Sequence, residues 1–246
     1  MRSTRTIRWT MLGLVACSGC VVSPVPQPPN LDPPTLDIDG VTGAPCGTCD
    51  AEAVLLTGAA GTATHPELQD EVVIWVANLD RPTPIETGGT EDDGSFGFFA
   101  SGQDGDTFRI QARVRDARSR PVDVRASGDG DVVVPVNHPA AACLELDPDL
   151  ELDLGQVPRP VSAAIDLHNA CDQPVELGSV ALRAPTEAFV VSHPPDVVGA
   201  GEDAGIDVQF LAGEDGLYEE VLLIEVTEPG MEDRFAVTII ARRDGG

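Results

Sequence analysis

The chain has 246 residues, of which 41 are acidic and 15 are basic, and its formal net charge is −26 at pH 7. Nucleic acid binding requires a positive face, so this charge balance argues against it. Aromatic residues make up only 4% of the chain, which predicts cores built from Val, Leu, Ile and Ala. About 210 residues remain beyond the N-terminal region, enough for two domains of about 100 residues.

The first sixteen residues have the pattern of a secretory signal, with three arginines followed by a short apolar run over residues 9–16. A membrane-spanning helix needs about 20 apolar residues, so this run is too short to span. The sequence Leu14-Val15-Ala16-Cys17 resembles the lipobox of bacterial lipoproteins. This resemblance implies cleavage before Cys17 and acylation of its thiol. Cys20 is the alternative acceptor, and a plain secreted protein is the other alternative.

Acylation would attach the chain firmly to a membrane, because two or three acyl chains each contribute about 0.8 kcal/mol per buried CH₂. In the lipoprotein family, the serine at position 18 is compatible with transfer to the outer membrane, which is therefore the expected location. The mature chain would keep 12 arginines against 41 acidic residues, a net charge of −29. Residues 17–34 are predicted to form a proline-rich tether, since six prolines between Val21 and Pro34 favour an extended spacer.

Residues 35–136 carry the signals of an antiparallel sheet, with short β-rich runs between turn-forming clusters. In the clearest of these strands, apolar residues alternate with Arg109, Gln111, Arg113 and Arg115, which predicts one buried face and one wet face. The run around Trp75 is apolar on both faces and indicates a central strand, with Trp75 in the core rather than on an exposed sugar-stacking platform. The predicted strands are Val54–Gly58, Glu71–Asn78, Phe96–Ala100 and Thr107–Asp116.

The run Asp92–Asp116 (DDGSFGFFASGQDGDTFRIQARVRD) resembles the Asp-Gly-Ser-Phe hairpin and long strand of bacterial immunoglobulin-like surface domains. In this interpretation Asp93-Gly94 supplies a tight reversal between two strands. The resemblance implies a first immunoglobulin-like β-sandwich over residues 35–136.

Residues 137–142 lack any pattern and are predicted to be a linker to a second domain over residues 143–243. Six short strands at regular spacing, without a helical period, favour a second β-sandwich. These strands are predicted at Val161–His168, Val175–Leu182, Ala188–Ser192, Gly205–Phe210, Tyr218–Thr227 and Arg234–Ala241.

The second domain also carries a motif pattern, in the runs Leu152–Val157 (LDLGQV), Ile165–Asn169 (IDLHN) and Pro174–Leu177 (PVEL). These runs resemble the opening of the ASH domain, a relative of the major sperm protein fold that is often labelled choice-of-anchor D in bacterial proteins. Leu154 stands where that family usually has phenylalanine, which changes core volume. Together the patterns predict an all-β chain with two immunoglobulin-like sandwiches in tandem.

Six cysteines in an exported chain indicate an oxidising compartment and disulfides. The expected pairs are Cys46 with Cys49 and Cys143 with Cys171, which leaves Cys20 near the lipid. Sequence alone does not fix this connectivity. Cys46-Gly47-Thr48-Cys49 is interpreted as a structural disulfide rather than a redox motif, because no helix is predicted after it.

The segment 109–125 holds six arginines against Asp116 and Asp123 and is locally +4. Two interpretations stay open: pairing with acidic residues on neighbouring strands, or a docking face for an acidic partner such as a phosphorylated glycan, the acidic domain of another copy or an envelope protein. Under the second interpretation, Arg109, Arg113 and Arg115 are the partner-binding candidates.

No pattern of a catalytic or metal site is present: the four histidines are far apart, and neither H-E-x-x-H nor G-x-S-x-G occurs. The acidic glycine-rich segments 91–94, 104–106 and 129–131 lack calcium-loop spacing and are predicted to be solvated turns.

We therefore expect a non-enzymatic binding or structural module that needs no cofactor or small-molecule substrate. The alternative is an envelope assembly factor that donates a strand, for which residues 131–136 (DVVVPV) are the candidate, and an enzyme accessory domain comes third.

Overall fold

The computed structural model describes residues 31–46, 52–126, 134–135, 143–157, 160–192, 194–228 and 231–243. These ranges leave out the predicted signal sequence, the predicted linker 137–142 and three cysteines, Cys17, Cys20 and Cys49. Within them the chain forms β-strands, two 3-10 helices at Ile38–Gly40 and Gln69–Glu71, and no α-helix. The predicted all-β class is confirmed.

The first half forms two facing sheets, because its strands present alternating apolar side chains to a common core. Sheet I has the order β2-β3-β7, and sheet II has the order β11-β10-β8-β5-β6 with β9 paired to β8, while β1 pairs with β4. The strands are β1 (Thr35–Leu36), β2 (Val41–Pro45), β3 (Ala53–Gly58), β4 (Ala63–Thr64), β5 (Val73–Asn78), β6 (Glu86–Gly89), β7 (Phe96–Ser101), β8 (Thr107–Val114), β9 (Ala117–Arg118), β10 (Val122–Arg125) and β11 (Val134–Pro135).

The Asp93-Gly94 turn does not close a hairpin, contrary to the sequence interpretation. Gly94 has φ of +80°, where glycine is favoured, and the Ser95 N–H donates to Asp93 Oδ1 at 2.9 Å. The turn instead connects β6 of sheet II to β7 of sheet I. The chain crosses between the two layers here, so the tight reversal helps to close the sandwich.

The second half is also a β-sandwich, in which sheets III and IV enclose one apolar core. Sheet III has the order β13-β20-β19-β15-β17 and sheet IV the order β12-β14-β18-β16. The strands are β12 (Leu144–Asp147), β13 (Glu151–Gln156), β14 (Val161–Asn169), β15 (Val175–Leu182), β16 (Phe189–Val191), β17 (Val197–Val198), β18 (Asp203–Phe210), β19 (Gly216–Glu228) and β20 (Met231–Arg243).

Strand β18 shows how the sequence period builds this core. Ile206, Val208 and Phe210 are buried, whereas Asp207 and Gln209 between them are exposed, as an alternating strand requires. The Phe210 ring packs against Phe189 and Tyr218, with centroids 5.4 and 5.3 Å away.

The two sandwiches pack face to face, with sheet II against sheet III. In the described residues no strand pair joins the two halves, but a third apolar cluster does. This shared cluster contains Trp75, Ala77, Leu79, Val221 and Ala236. The layer order is therefore I, II, III, IV, and within the described residues no further sheet packs on the outer faces of sheets I and IV.

The last residues of the predicted tether lie against the first sandwich. Leu31 packs on its core, and the Asp32 carbonyl is 3.0 Å from His65 Nε2. His65 Nδ1 accepts hydrogen bonds from the backbone N–H groups of Glu67 and Leu68, so Nε2–H donates a hydrogen bond to the Asp32 carbonyl. Across the described ranges, no helix is long and apolar enough to cross a membrane.

Candidate binding surfaces

The face of β8 that carries Arg109 and Arg113 is buried between the sandwiches. The prediction that this face is exposed to solvent is therefore wrong. All eight residues of β8 are buried, and Arg109 is 1% exposed. Arg109 donates to both carboxylate oxygens of Asp123, from Nε at 2.7 Å and from Nη2 at 2.8 Å. Asp123 lies directly opposite on β10, so this arginine confirms the interpretation of cross-strand pairing. Its Nη1 also donates to the Leu150 carbonyl at 3.3 Å.

Arg113 is held by the second sandwich. Its guanidinium carbon lies 4.4 Å from the centroid of the Trp75 ring, a favourable cation–π distance. Nη1 donates to Glu219 on β19, and Trp75 Nε1 donates to the other Glu219 oxygen at 3.2 Å. Burial lowers the pKa of Arg113, and the nearby Glu219 carboxylate partly offsets this effect. One carboxylate thus satisfies two donors from the first sandwich.

Arg183 makes the reciprocal contact from the second sandwich into the first. Its side chain is 2% exposed and pairs with Glu220, with Nε 3.0 Å from Oε1. Its Nη1 donates to the carbonyls of Arg81 at 3.0 Å and Thr83 at 2.6 Å. A buried arginine is tolerated when its donors are satisfied, and here a loop of the neighbouring sandwich supplies the acceptors.

More exposed ion pairs surround this buried centre and complete the interface. They are Arg118 with Glu151 and Asp153, Arg120 with Asp149, Arg234 with Asp80, and Arg242 with Asp116. An apolar centre with a polar rim is the usual anatomy of a protein interface. Arg118 and Arg120 of the first half thus find acidic partners in the second half, and Arg234 and Arg242 of the second half find theirs in the first.

Arg115 is the one partner-binding candidate that stays exposed. Its side chain is 59% exposed and pairs with Glu71 at 2.5 Å. The hydrogen bond from Arg115 lowers the pKa of Glu71, and Glu71 raises the pKa of Arg115 in turn. The structure therefore separates the three candidates: Arg109 and Arg113 lie inside the interface, and Arg115 lies outside it.

The described strands of sheet I carry no charged side chain on their outer face, and the Ser101 hydroxyl at its edge donates to the Glu86 carboxylate at 2.7 Å. Two rows run across its three strands: Ala44, Leu55 and Phe99, and Thr42, Thr57 and Gly97. The Thr42 and Thr57 hydroxyls are 2.5 Å apart, which places both on this side of the sheet. Phe99 is 54% exposed. We call these two rows, with the adjacent pair Ala53 and Ser101, the neutral face.

The outer face of sheet IV has the opposite chemistry. Glu145, His168 and Asp203 lie side by side on β12, β14 and β18, and Asp147 lies directly opposite Asp166 in the next row. His168 Nδ1 is 2.6 Å from Asp203 Oδ1. Among the described residues, no group of three or more His, Cys, Asp or Glu side chains is arranged to hold a metal ion. We call this surface the acidic face.

The two acidic turns that fall within the described ranges differ in burial. Asp106 is 5% exposed and accepts hydrogen bonds from Asn78 Nδ2 at 2.8 Å and Arg81 Nε at 2.7 Å. It supports the loop that receives Arg183 and is not a solvated turn residue. Hydrogen bonds from Ser95 lower the pKa of the Asp93 carboxyl in the other turn. Residues 129–131 lie outside the described part.

The predicted disulfide between Cys143 and Cys171 is present, with Cα atoms 4.9 Å apart. It links the residue before β12 to the turn after β14, and the Cys171 N–H donates to Asn169 Oδ1 at 2.9 Å. Cys46 is also disulfide-bonded. Its expected partner Cys49 and the expected acyl site Cys17 lie outside the described residues.

The sequence matches no protein-family model and no curated protein. Solved structures similar to this one include the seventh PapD-like (ASH) domain of human CEP192, at 16% identity and a TM-score of 0.37, covering 47% of this chain and 94% of that domain. WR4, an MSP family member of C. elegans, is similar at 16% identity and a TM-score of 0.33, over 40% of this chain and 97% of that one. The VesB protease of Vibrio cholerae is similar at 11% identity and a TM-score of 0.37, over 86% of this chain and 99% of that one. The similar structures thus include ASH and MSP domains, and none of these similarities assigns an activity to this chain.

Proposed function

We propose that this chain is a lipid-anchored protein of the bacterial outer membrane that acts as a non-catalytic binding or structural module. The observation that carries the proposal is the interlocked pair of sandwiches, in which Arg113 and Glu219 join sheet II to sheet III. This packing makes one body in which, among the described residues, the outer faces of sheets I and IV are left without a packed sheet. Such sandwiches bind through exposed edges, faces and end loops.

The lipobox-like sequence ending at Cys17 supports the anchoring half of the proposal. Because the following prolines favour an extended spacer, the folded body would be held away from the bilayer surface. The sheet faces would then be accessible to other molecules of the envelope, such as an envelope protein or an acidic glycan.

The strand-donating alternative has less support. Its candidate run contains β11, and Val134 and Pro135 already pair with Arg125 and Val124 of β10. A strand that is paired within its own sheet would have to leave that sheet before it could be donated. An enzyme accessory domain remains the third hypothesis, and no site within the described ranges favours it.

Intact mass spectrometry of the mature protein tests the anchor. We expect a chain that begins at Cys17 and carries two or three acyl chains. Cys17→Ser should abolish acylation and membrane association, whereas the matched control Cys20→Ser should leave both unchanged. The proposal would be overturned by a mature N-terminus at another residue, or by recovery of the wild-type protein in the aqueous fraction rather than with the membrane.

A further inference from the structure

A crevice of about 240 Å³ opens at one edge of the interface between the two sandwiches. It is lined by the hairpin of β8 and β9 from the first sandwich and by β13, β19 and β20 of sheet III. We call it the edge crevice. Pockets for drug-sized molecules measure about 300–1,000 Å³, so this crevice fits a smaller ligand. Its charged and large apolar lining residues are Asp116, Arg118, Asp153, Leu217, Ile240 and Arg242.

Leu217 gives the edge crevice an apolar patch that the first sandwich leaves uncovered. It lies two residues before Glu219 on β19, so both side chains point to the face of sheet III that packs on sheet II. Only 14% of the Glu219 side chain is exposed, whereas Leu217 is 48% exposed. Sheet III therefore extends beyond its cover, and Leu217 is accessible to an apolar group of a ligand.

Two ion pairs of opposite direction line the same crevice. Arg118 Nη1 lies 2.9 Å from Asp153 Oδ2, with the cation in the first sandwich. Arg242 Nη2 lies 2.8 Å from Asp116 Oδ1, with the cation in the second. Arg242 is also directly opposite Leu217 in the ladder of β20 and β19. The crevice thus presents guanidinium groups, carboxylates and an apolar patch within one small space.

Two unfavourable features lie next to the edge crevice. Arg113 Nη2 is buried and has no hydrogen-bond partner among the described residues, although Nε and Nη1 of the same group are bonded. Arg113 is directly opposite Arg118 in the ladder of β8 and β9. Arg115, at the turn of this hairpin, has φ of +50°, which is uncommon for a residue other than glycine. Unsatisfied buried donors and strained turn residues cost free energy, and such features concentrate where ligands bind.

The charges of the edge crevice select among ligands. Its two arginines and two aspartates sum to zero, in a chain whose net charge is −26. A simple anion is repelled by the chain as a whole, and a simple cation meets the two guanidinium groups. A zwitterion has no net charge to be repelled. It can also insert into an ion pair, with its carboxylate against the arginine and its ammonium against the aspartate.

We propose that the edge crevice binds a free α-amino acid with an apolar side chain. The ligand carboxylate binds Arg242, its ammonium binds Asp116, and its side chain packs on Leu217. Among the described contacts Arg242 donates only from Nη2, so Nε and Nη1 are available to a carboxylate. This inference goes beyond the proposed function, which concerns contacts with envelope macromolecules, and it does not require the lipid anchor.

Binding should be weak, because the ligand competes with an ion pair that is already formed and partly exposed to water. The apolar contact comes from one exposed side chain. We therefore expect a dissociation constant on the order of 1 mM for leucine, which is accessible to a titration followed by NMR.

A titration of the purified full chain in detergent with L-leucine, followed by proton–nitrogen correlation NMR, tests the site. The Gly155 amide and the Arg242 Nε–H signals should move, since both groups line the crevice. N-acetyl-leucine has no ammonium and leucinamide has no carboxylate. Each should bind about fivefold more weakly than leucine, because each loses one charged contact.

Substitutions in the chain test the same contacts from the protein side. Arg242→Gln and Leu217→Asn should each weaken leucine binding about fivefold. The matched controls are Arg120→Gln, at an exposed ion pair, and Leu211→Asn, at a leucine that is 44% exposed. Neither residue lines the crevice, and both variants should bind leucine as wild type does. Circular dichroism should show that all variants are folded.

Crevice signals of wild type that do not move with leucine overturn the inference. So does equal binding of leucine, N-acetyl-leucine and leucinamide, or leucine binding that survives both crevice substitutions. The comparison of the three compounds uses wild type alone, so it decides the matter even if a variant fails to fold. Because this binding does not depend on acylation, failure here would leave the lipid anchor untouched.

Discussion

Trp75 Nε1 donates a hydrogen bond to Glu219 Oε2 across 3.2 Å, joining two strands that lie in different sandwiches. The same carboxylate pairs with Arg113, whose guanidinium covers the indole ring. The chain has two tryptophans, and Trp9 precedes the predicted cleavage site. In a chain cleaved there, Trp75 is the sole tryptophan, and its fluorescence reports on the contact between the sandwiches.

Glu219→Ala should destabilise the protein by about 2–4 kcal/mol, because the buried Arg113 guanidinium loses its carboxylate partner and keeps only the Gln111 acceptor, and the Trp75 indole N–H loses its acceptor. Urea unfolding followed by Trp75 emission measures the change. Glu225→Ala, at an exposed position of the same strand, is the matched control and should cost less than about 0.5 kcal/mol. Equal effects of the two substitutions would show that the contact contributes little.

Arg183→Ala should cost about 3–5 kcal/mol, since Glu220 would remain buried without its counter-charge and two carbonyls would lose a donor. Chemical denaturation gives the difference in unfolding free energy. Arg120 pairs with Asp149 at a site where both side chains are more than 60% exposed, and Arg120→Ala should cost less than about 1 kcal/mol. A loss of similar size in both variants would contradict the assignment of Arg183 as an interface anchor.

Removal of the disulfide by Cys143→Ser with Cys171→Ser should cost about 3–4 kcal/mol, because the bond closes a loop across a sequence separation of 28. The midpoint of urea unfolding measures this loss. Cys20→Ser removes the cysteine that is expected to be unpaired, and its unfolding midpoint should match wild type. An unchanged midpoint in the double variant would mean that the disulfide has no stabilising role.

Glu71 should titrate below the ordinary pKa of a glutamate, because Arg115 donates hydrogen bonds to its carboxylate. A lowered folded pKa means that this pair stabilises the protein above the ordinary pKa of about 4.3 and ceases to do so as the pH falls through the folded value. NMR titration of the Glu71 carboxyl carbon should show its pKa rising in Arg115→Gln. The matched substitution Arg120→Gln should leave Glu71 unchanged.

The sequence predicted the strands well because alternation and turn residues act locally. Thr107–Asp116, for example, was expected as one strand and is observed as β8 over Thr107–Val114. The same alternation did not predict that Arg109 and Arg113 are buried. A polar side chain indicates polar surroundings, but these can be either water or the polar groups of another sandwich. The excess of arginine in that segment was the available signal. Glu219, the carboxylate that pairs with Arg113, lies 106 residues away in the sequence, and no local pattern links it to the segment.

Trp75 shows the same limit from the apolar side. Its burial was predicted and is observed, but it lies in the cluster shared by the two sandwiches rather than in the core of the first. A strand that is apolar on both faces indicates burial on both sides. The pattern does not show whether the second face packs against another sheet of the same sandwich or against a different sandwich.

The interface between sheets II and III makes the two halves of the chain depend on each other for folding. The described strands of the first sandwich end at Pro135, whereas Glu219 lies 84 residues later in the chain. Until β19 is in place, Trp75 and Arg113 lack the carboxylate that accepts their hydrogen bonds in the finished protein. A chain truncated between these two positions would therefore expose a cationic and aromatic surface.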